Sequence, residues 1–195
     1  MNPKLKFFIP LQVTIPTHRL RLREFTLGDA TSVFRYSSLT TTTHYIEQEA
    51  HVTPYETEEL IQRFIGWQFA TPRLHLIQAI TLADTGQLVG DIGLMTTNVE
   101  SAVAELGFMM SPDYWQHGYG KEAAAAMLAY GFQTVGWERI VASCHKDNVA
   151  SERILRGIGL KPTTETSADP SDPNYLFRPQ MRYFGLDRQE WYPTE

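Results

Sequence analysis

The chain of 195 residues is mildly acidic, with 22 Asp and Glu against 17 Lys and Arg, which argues against a surface built to neutralise many phosphates, and no nucleic-acid partner is expected. Its length and ordinary apolar content suit one core rather than two. The single cysteine, Cys144, rules out an internal disulfide framework, no Cys/His spacing suits a structural zinc, and no apolar run is long enough to cross a bilayer, so the reading is cytoplasmic, with no metal and no membrane.

Residues 1–16 carry Phe7, Phe8, Ile9, Leu11, Val13 and Ile15, but Pro10 and Pro16 interrupt the run and no small-residue cleavage site follows. They read as an extended arm packing on the domain of residues 17–191 or on a second subunit, which makes a homodimer an expectation. Residues 19–24 alternate, Leu20 and Leu22 against three arginines, as a half-buried strand does. Thr26 and Asp29 form a capping arrangement that opens a helix to about Ser38. Residues 39–55, with four consecutive threonines, His44, Tyr45 and Pro54, read as a long loop or broken helix, and long loops in compact domains are often functional. Leu60, Ile61, Phe64 and Ile65 predict a second helix over 56–69. Apolar strands follow at 74–82, 87–95 and 102–110, an antiparallel meander whose first turn contains Gly86. A helix over 121–135, a strand over 139–145, a short helix over 149–156 closed by Gly159, and two closing strands at 175–177 and 181–186 complete an α+β chain.

Two segments carry chemistry. The first reads Tyr114-Trp-Gln-His-Gly118-Tyr-Gly120-Lys-Glu-Ala123, in which small residues let the backbone approach a ligand and the following helix N-terminus offers amides to an anionic phosphate. The second reads Asn148-Val-Ala-Ser151-Glu-Arg-Ile-Leu-Arg-Gly-Ile-Gly159-Leu. Residues 118–123 also satisfy the dinucleotide pattern G-x-G-x-x-A, with Glu138 some twenty residues on. The context opposes it: seven residues separate Met110 from Gly118, and Glu138 precedes its strand instead of ending it. A Walker phosphate loop fails too, because Glu122 follows Lys121 and Trp115 stands where its first glycine belongs. Structural alternatives remain open at this point. Residues 114–123 can be a plain turn before a helix, Asn148 a helix N-cap, Ser151 a solvent-facing first-turn residue, and His145 a hydrogen-bonded strand end.

Taken together, these residues resemble the GCN5-related N-acetyltransferase family, in its RimJ/RimL-like group of ribosomal-protein N-terminal acetyltransferases. The resemblance runs from about Thr17 to Trp191 and rests on the order strand, Gly-rich turn, helix, strand, Asn-x-x-Ser helix and Gly-Leu, supported by residues 17–23, 88–93, 104–108, 112–118, 147–151 and 183–191. Trp115 replaces the Gln or Arg that opens the wider family's turn. Leu155 stands where many members carry a tyrosine thought to protonate the leaving thiolate, Leu160 replaces the usual phenylalanine, and Gln116 and Gly120 differ from the group's common Gly and Ala.

The resemblance implies a single-domain acyl-CoA N-acyltransferase fold: a mixed, mostly antiparallel sheet flanked by helices, with a splayed central strand pair. It implies acetyl-CoA as co-substrate, its pantetheine arm along Phe108, Met109 and Met110. The backbone of Gln116, His117, Gly118, Tyr119, Gly120 and Lys121 then holds the pyrophosphate, with Asn148 and Ser151 on the other side. Ser151 is the candidate for protonating the sulfur, Glu105 the candidate base, directly or through water, and His145 the alternative base. The acceptor is an amine, either the N-terminal α-amine of a protein or peptide or a small amine such as a polyamine, amino sugar or antibiotic; a non-catalytic acyl-CoA-binding module is the third reading. Residues 39–55 and 162–174 are expected over the acceptor, with Glu47, Glu49 and Glu56 as an acidic lip.

Overall fold

Eight strands join in one sheet in the computed structural model, which describes residues 8–46, 49–164 and 180–191. They are β1 (Thr14–Pro16), β2 (Leu20–Arg23), β3 (His75–Leu82), β4 (Leu88–Asn98), β5 (Val103–Met110), β6 (Arg139–His145), β7 (Lys161–Thr163) and β8 (Met181–Asp187), in the order β1-β2-β3-β4-β5-β6-β8-β7. Every neighbouring pair is antiparallel except β5 and β6. That parallel pair is held only at Val103↔Arg139, Ala104↔Ile140 and Glu105↔Val141, whereas β6 stays paired with β8 along seven residues. Beyond Glu105, therefore, β5 keeps β4 as its neighbour and parts from β6, which is the splay that the resemblance implies.

Alternation along the strands sorts side chains onto two faces. Leu20, Leu22, Ile80, Ile92, Leu94, Leu106, Ile140 and Phe184 bury against α4 (Tyr119–Tyr130) and α5 (Val149–Gly157) on one face. Phe25, Ile77 and Ala79 pack on the other against Val33 and Tyr36 of α1 (Ala30–Ser37) and Ile61 of α3 (Pro54–Gln68). The Thr26 amide donates to Asp29 Oδ2 at 2.8 Å, as the capping arrangement predicts, but residues 27–29 form a tight 3₁₀ turn first and α1 begins at Ala30. Residues 39–55 contain one helical turn, α2 (Thr40–Thr43), and Pro54 opens α3 at a position where its missing N–H costs nothing. The helix expected over 121–135 ends as α-helix at Tyr130 and widens into a π-type turn over Gly131–Val135. Strand β7 was not expected; it is three residues long and includes Pro162, too short for a periodic signal. The strand expected at 175–177 lies outside the described residues.

Residues 8–16 pack on their own chain. Ile9, Val13 and Ile15 are 3%, 4% and 7% exposed within the α4-side core, and the Phe8 amide donates to the Val135 carbonyl at 3.0 Å.

Candidate active site

The turn between β5 and α4 is built from backbone. After a 3₁₀ turn at Pro112–Tyr114, Gln116 and Gly118 adopt φ values of 63° and 78°, and α4 starts at Tyr119. The left-handed conformation costs roughly 1–2 kcal/mol for a residue with a Cβ and little for glycine, so Gly118 suits its place and Gln116 is held there under strain. The amides before Glu122 have no partner inside the helix, an arrangement suited to phosphate oxygens. Gly120 serves packing. A Cβ there would lie 3.1 Å from Ile154 Cδ1 on α5 and 3.6 Å from Met110 Cγ.

Three residues that sequence reasoning did not nominate hold this turn in place. Arg19 donates from Nη1 to the His117 carbonyl at 3.0 Å and from Nε to Glu122 Oε2 at 2.7 Å, while its guanidinium lies 4.7 Å from the Tyr119 ring centroid. The Arg19 amide and the Thr17 hydroxyl both donate to Glu122 Oε1, at 2.8 and 2.6 Å. Burial pushes the Glu122 carboxyl up, but the hydrogen bonds from Thr17 and Arg19 outweigh it and hold the group below the usual carboxylate range. His117 stacks on Tyr119 with centroids 5.6 Å apart. The pairing spans about a hundred residues of sequence, and only the fact that β2 and α4 share a sheet face brings it together.

On the β5 side of the splay, Trp115 Nε1 donates to the Met110 carbonyl at 2.9 Å, and the Met110 side chain is buried. Phe108 packs toward the α4 core and Met109 toward the α1 core, both half-buried. On the β6 side, Asn148 Oδ1 accepts the Ser151 amide at 3.0 Å, so the side chain caps α5. Burial pushes the Cys144 thiol up, and the Ser151 side chain acts against that rise. Leu155 is 1% exposed, a core residue with no proton to offer. The stem of Lys121 lies along α5, its Cε 3.2 Å from where a Cβ on Gly157 would stand.

The opposite face of the splay presents Glu105, Gly107 and Met109 from β5, aligned with Met95, Gly93 and Asp91 of β4. A Cβ placed on Gly107 meets nothing within 4 Å, so the floor between Glu105 and Met109 is open. Ser143 Oγ donates to Glu105 Oε1 at 3.2 Å. His145 stacks on Tyr45 at 5.6 Å, which brings residues 39–46 to the end of β6. The His145 Nδ1 accepts the Asp147 amide at 3.2 Å, an arrangement that places the neutral ring's proton on Nε2. The same Nδ1 lies 3.6 Å from Asp147 Oδ2, and Glu105 and His145 share this face.

Residues 49–57 are pinned from behind. His51 Nδ1 lies 2.6 Å from Thr57 Oγ1 and 3.1 Å from Ser37 Oγ, and the His51 amide donates to the Ser37 carbonyl. Glu56 accepts the Val52 amide at 2.9 Å and the Thr53 hydroxyl at 3.1 Å, which hold its carboxyl below the ordinary range. The acidic lip is thereby reduced: Glu56 is occupied by its own turn, Glu49 is exposed, and Glu47 lies outside the described residues, as does most of 162–174. Leu39, Ile46, Val52 and Tyr55 are exposed along the same stretch. A fourth missed residue is Asp91, whose Oδ2 accepts the Tyr36 hydroxyl at 2.7 Å and whose carboxyl burial pushes up to about 6. The sign that marked Glu105, an acid interrupting an apolar strand, was present at Asp91 as well. Among the described residues, no three His, Cys, Asp or Glu side chains are grouped to hold a metal ion, and no helix is long and apolar enough to cross a membrane.

Comparison with known proteins gives this geometry a lineage. Residues 19–161 match the family model described as Acetyltransferase (GNAT) domain. The uncharacterized N-acetyltransferase YnaD of Bacillus subtilis is 31% identical over 147 residues, covering 75% of this chain and 82% of that protein. The crystal structure of a GNAT-family acetyltransferase from Bacillus anthracis superposes with a TM-score of 0.76 at 26% identity, covering 91% of this chain and all of that one. Two structures at 15% identity share the fold at a TM-score of 0.72 and cover about nine-tenths of this chain: RimL, the ribosomal L7/L12 α-N-protein acetyltransferase, with coenzyme A, and spermidine N-acetyltransferase from Vibrio cholerae with CoA and spermine; each is covered to 98%.

Proposed function

Because this chain belongs to the GNAT acetyltransferase family, and is an acetyl-CoA-dependent N-acyltransferase, we propose that its acceptor is the N-terminal α-amine of a protein or peptide, acetylated in the cytoplasm by direct transfer, as in the RimJ/RimL-like group. The observation that carries this reading is the character of the acceptor rim. Leu39, Ile46, Val52 and Tyr55 offer exposed apolar surface for a peptide's side chains, and Glu56, the acid placed to greet a polycation, is bound to its own turn. An α-amine, with a pKa near ~8, also needs less help at neutral pH than a lysine near ~10.4.

In this reading the amides at Gly118, Tyr119 and Lys121 meet the pyrophosphate, with Gln116 and His117 shaping the approach and Gly120 seating α4. The pantetheine arm lies along Phe108, Met109 and Met110 where β5 has left β6, and backbone amides near Met109 serve the thioester carbonyl. Asn148 fixes the start of α5, and the Ser151 hydroxyl delivers a proton to the departing sulfur. The amine approaches over Gly107, on the face that Glu105 and His145 share. Thiol release from acetyl-CoA tests the acceptor: N-terminal peptides with free α-amines should turn over at least ~10-fold faster than the same peptides blocked at the N-terminus, and faster than spermidine or amino sugars. Turnover of the small amines alone would replace this reading with small-molecule acetylation.

A further inference from the structure

The acceptor's amine arrives protonated in part, and a proton must leave before nitrogen can attack. We propose that Asp91, held by Tyr36, is a further catalytic residue that takes this proton directly beside Met109.

The geometry favours Asp91 over Glu105. Asp91 is the register partner of Met109, so the two Cα atoms stand about 5 Å apart across the strand pair. Glu105 lies four residues down β5 from Met109, about 13 Å along the strand at ~3.3 Å per residue, and its carboxylate is engaged by Ser143. Between them the Gly107 floor is open. Tyr36 is 1% exposed and fixes Asp91 Oδ2 at 2.7 Å; it also lines a cleft with Arg35, Leu39, Ser111 and Tyr114. A carboxylate here is costly, because burial penalises its charge and a neutral Asn would accept the same hydrogen bond without that cost. The acid therefore has a use beyond holding Tyr36. Its raised value, about 6, lies near the operating pH, where a general base is most effective.

The surrounding groups leave Asp91 free to titrate alone. Tyr36 is the titratable contact from α1; Ala79 on β3 and Met109 on β5 flank it without charge. Asp29, ion-paired with Arg23 at 2.7 Å, acts on Tyr36, while Arg35 and Asp113 stand at the rim of the cleft. Glu105 and His145 lie further along the same face. In the step itself, the acceptor ammonium gives one proton to Asp91 and its freed lone pair forms the bond to the thioester carbon. The carbon–sulfur bond breaks, the sulfur takes a proton through Ser151, which regains one from solvent, the second nitrogen proton leaves to solvent, and Asp91 releases its own proton, so that amide, CoA thiol and one net proton result.

This inference rests on the acetyltransferase reading but not on the identity of the acceptor, so the experiment uses whichever amine, peptide or small molecule, turns over best. The pH dependence of kcat/KM for the wild type should rise through an acid limb near 6, since Asp91 must be ionised. Asp91→Asn should lose that limb and at least ~10²-fold in kcat. Tyr36→Phe should move the limb to higher pH, by about one unit, because the hydrogen bond that favours the ionised form is gone. Glu105→Gln should leave it in place. Carboxyl NMR titration of the folded protein supplies a reading independent of turnover: a resonance with a midpoint near 6 should vanish in Asp91→Asn and shift upward in Tyr36→Phe. An Asp91→Asn enzyme that folds and works within about 3-fold of wild type, a limb that Tyr36→Phe does not move, or a limb lost with Glu105→Gln would each overturn the proposal.

Discussion

The two faces of the splayed strand pair are made from different materials. The α4 and α5 side, proposed to meet the cofactor, is largely backbone: a left-handed glycine, a helix N-terminus and an Asn cap, with side chains such as Arg19, Glu122 and Thr17 in supporting positions. The α1 and α3 side, proposed to meet the acceptor, is made of side chains on separate elements, Asp91, Glu105, Tyr36, His145 and Tyr45, drawn together by register and helix packing. A backbone site tolerates many sequences but few conformations. A side-chain site tolerates neither the wrong residue nor the wrong neighbour, and in the proposed reading acceptor specificity would reside there.

The contrast can be broken from either side: the largest loss, at least ~10²-fold in kcat, is the one expected for Asp91→Asn on the acceptor face, and the next comes from the cofactor face. Gly118→Val forces a β-branched residue to φ 78° and brings its Cβ to 3.4 Å from Arg19 Nη2. Calorimetry should show acetyl-CoA affinity falling by at least ~30-fold, since strain of a few kcal/mol must be met before the amides align. Ser151→Ala should lower kcat by about 10- to 100-fold with little change in acetyl-CoA affinity, as expected for a proton donor; a matched loss of affinity would make Ser151 a binding residue instead. Glu122→Gln should weaken acetyl-CoA binding by a smaller factor, about 5-fold, because Arg19 and Thr17 lose the charge that organises them around the turn.

The smallest effect concerns stability on the acceptor face. The folded-state value of Asp91 is raised from 3.8 to about 6, so protons bind the folded form more tightly and its contribution is full below about pH 4 and lost as pH rises through about 6. Asp91→Asn should therefore raise Tm at pH 8, on the order of 5 °C, with the difference shrinking toward pH 4. A constant difference across that range would mean that Asp91 titrates normally.

Much of the cofactor face was legible because the chain writes it locally. Positive φ selects Gly118, the Ala-rich run selects a helix after it, and Asn148 followed by Ser151 is a cap spelled out within one turn. The strand order 139–145 then α5 needed no distant information either. What was not legible depends on register. Asp91 matters because it stands opposite Met109, and a one-residue slip would turn it to the other face. Arg19 and Glu122 meet because β2 and α4 lie on one face, and the His145 ring is turned by an amide two residues on, a detail of dihedral angles. The packing of Gly120 on Ile154 was not legible either, since a buried glycine at a helix start reads the same in sequence whichever neighbour approaches it.

The central claim, that the acceptor side selects an α-amine, is tested most directly by one peptide that carries both a free N-terminus and an internal lysine. After incubation with acetyl-CoA at neutral pH, mass spectrometry of the fragments should place the acetyl group on the α-amine, with the lysine unmodified. Acetyl on the lysine, or no peptide product from an enzyme that turns over a small amine under the same conditions, would contradict the account.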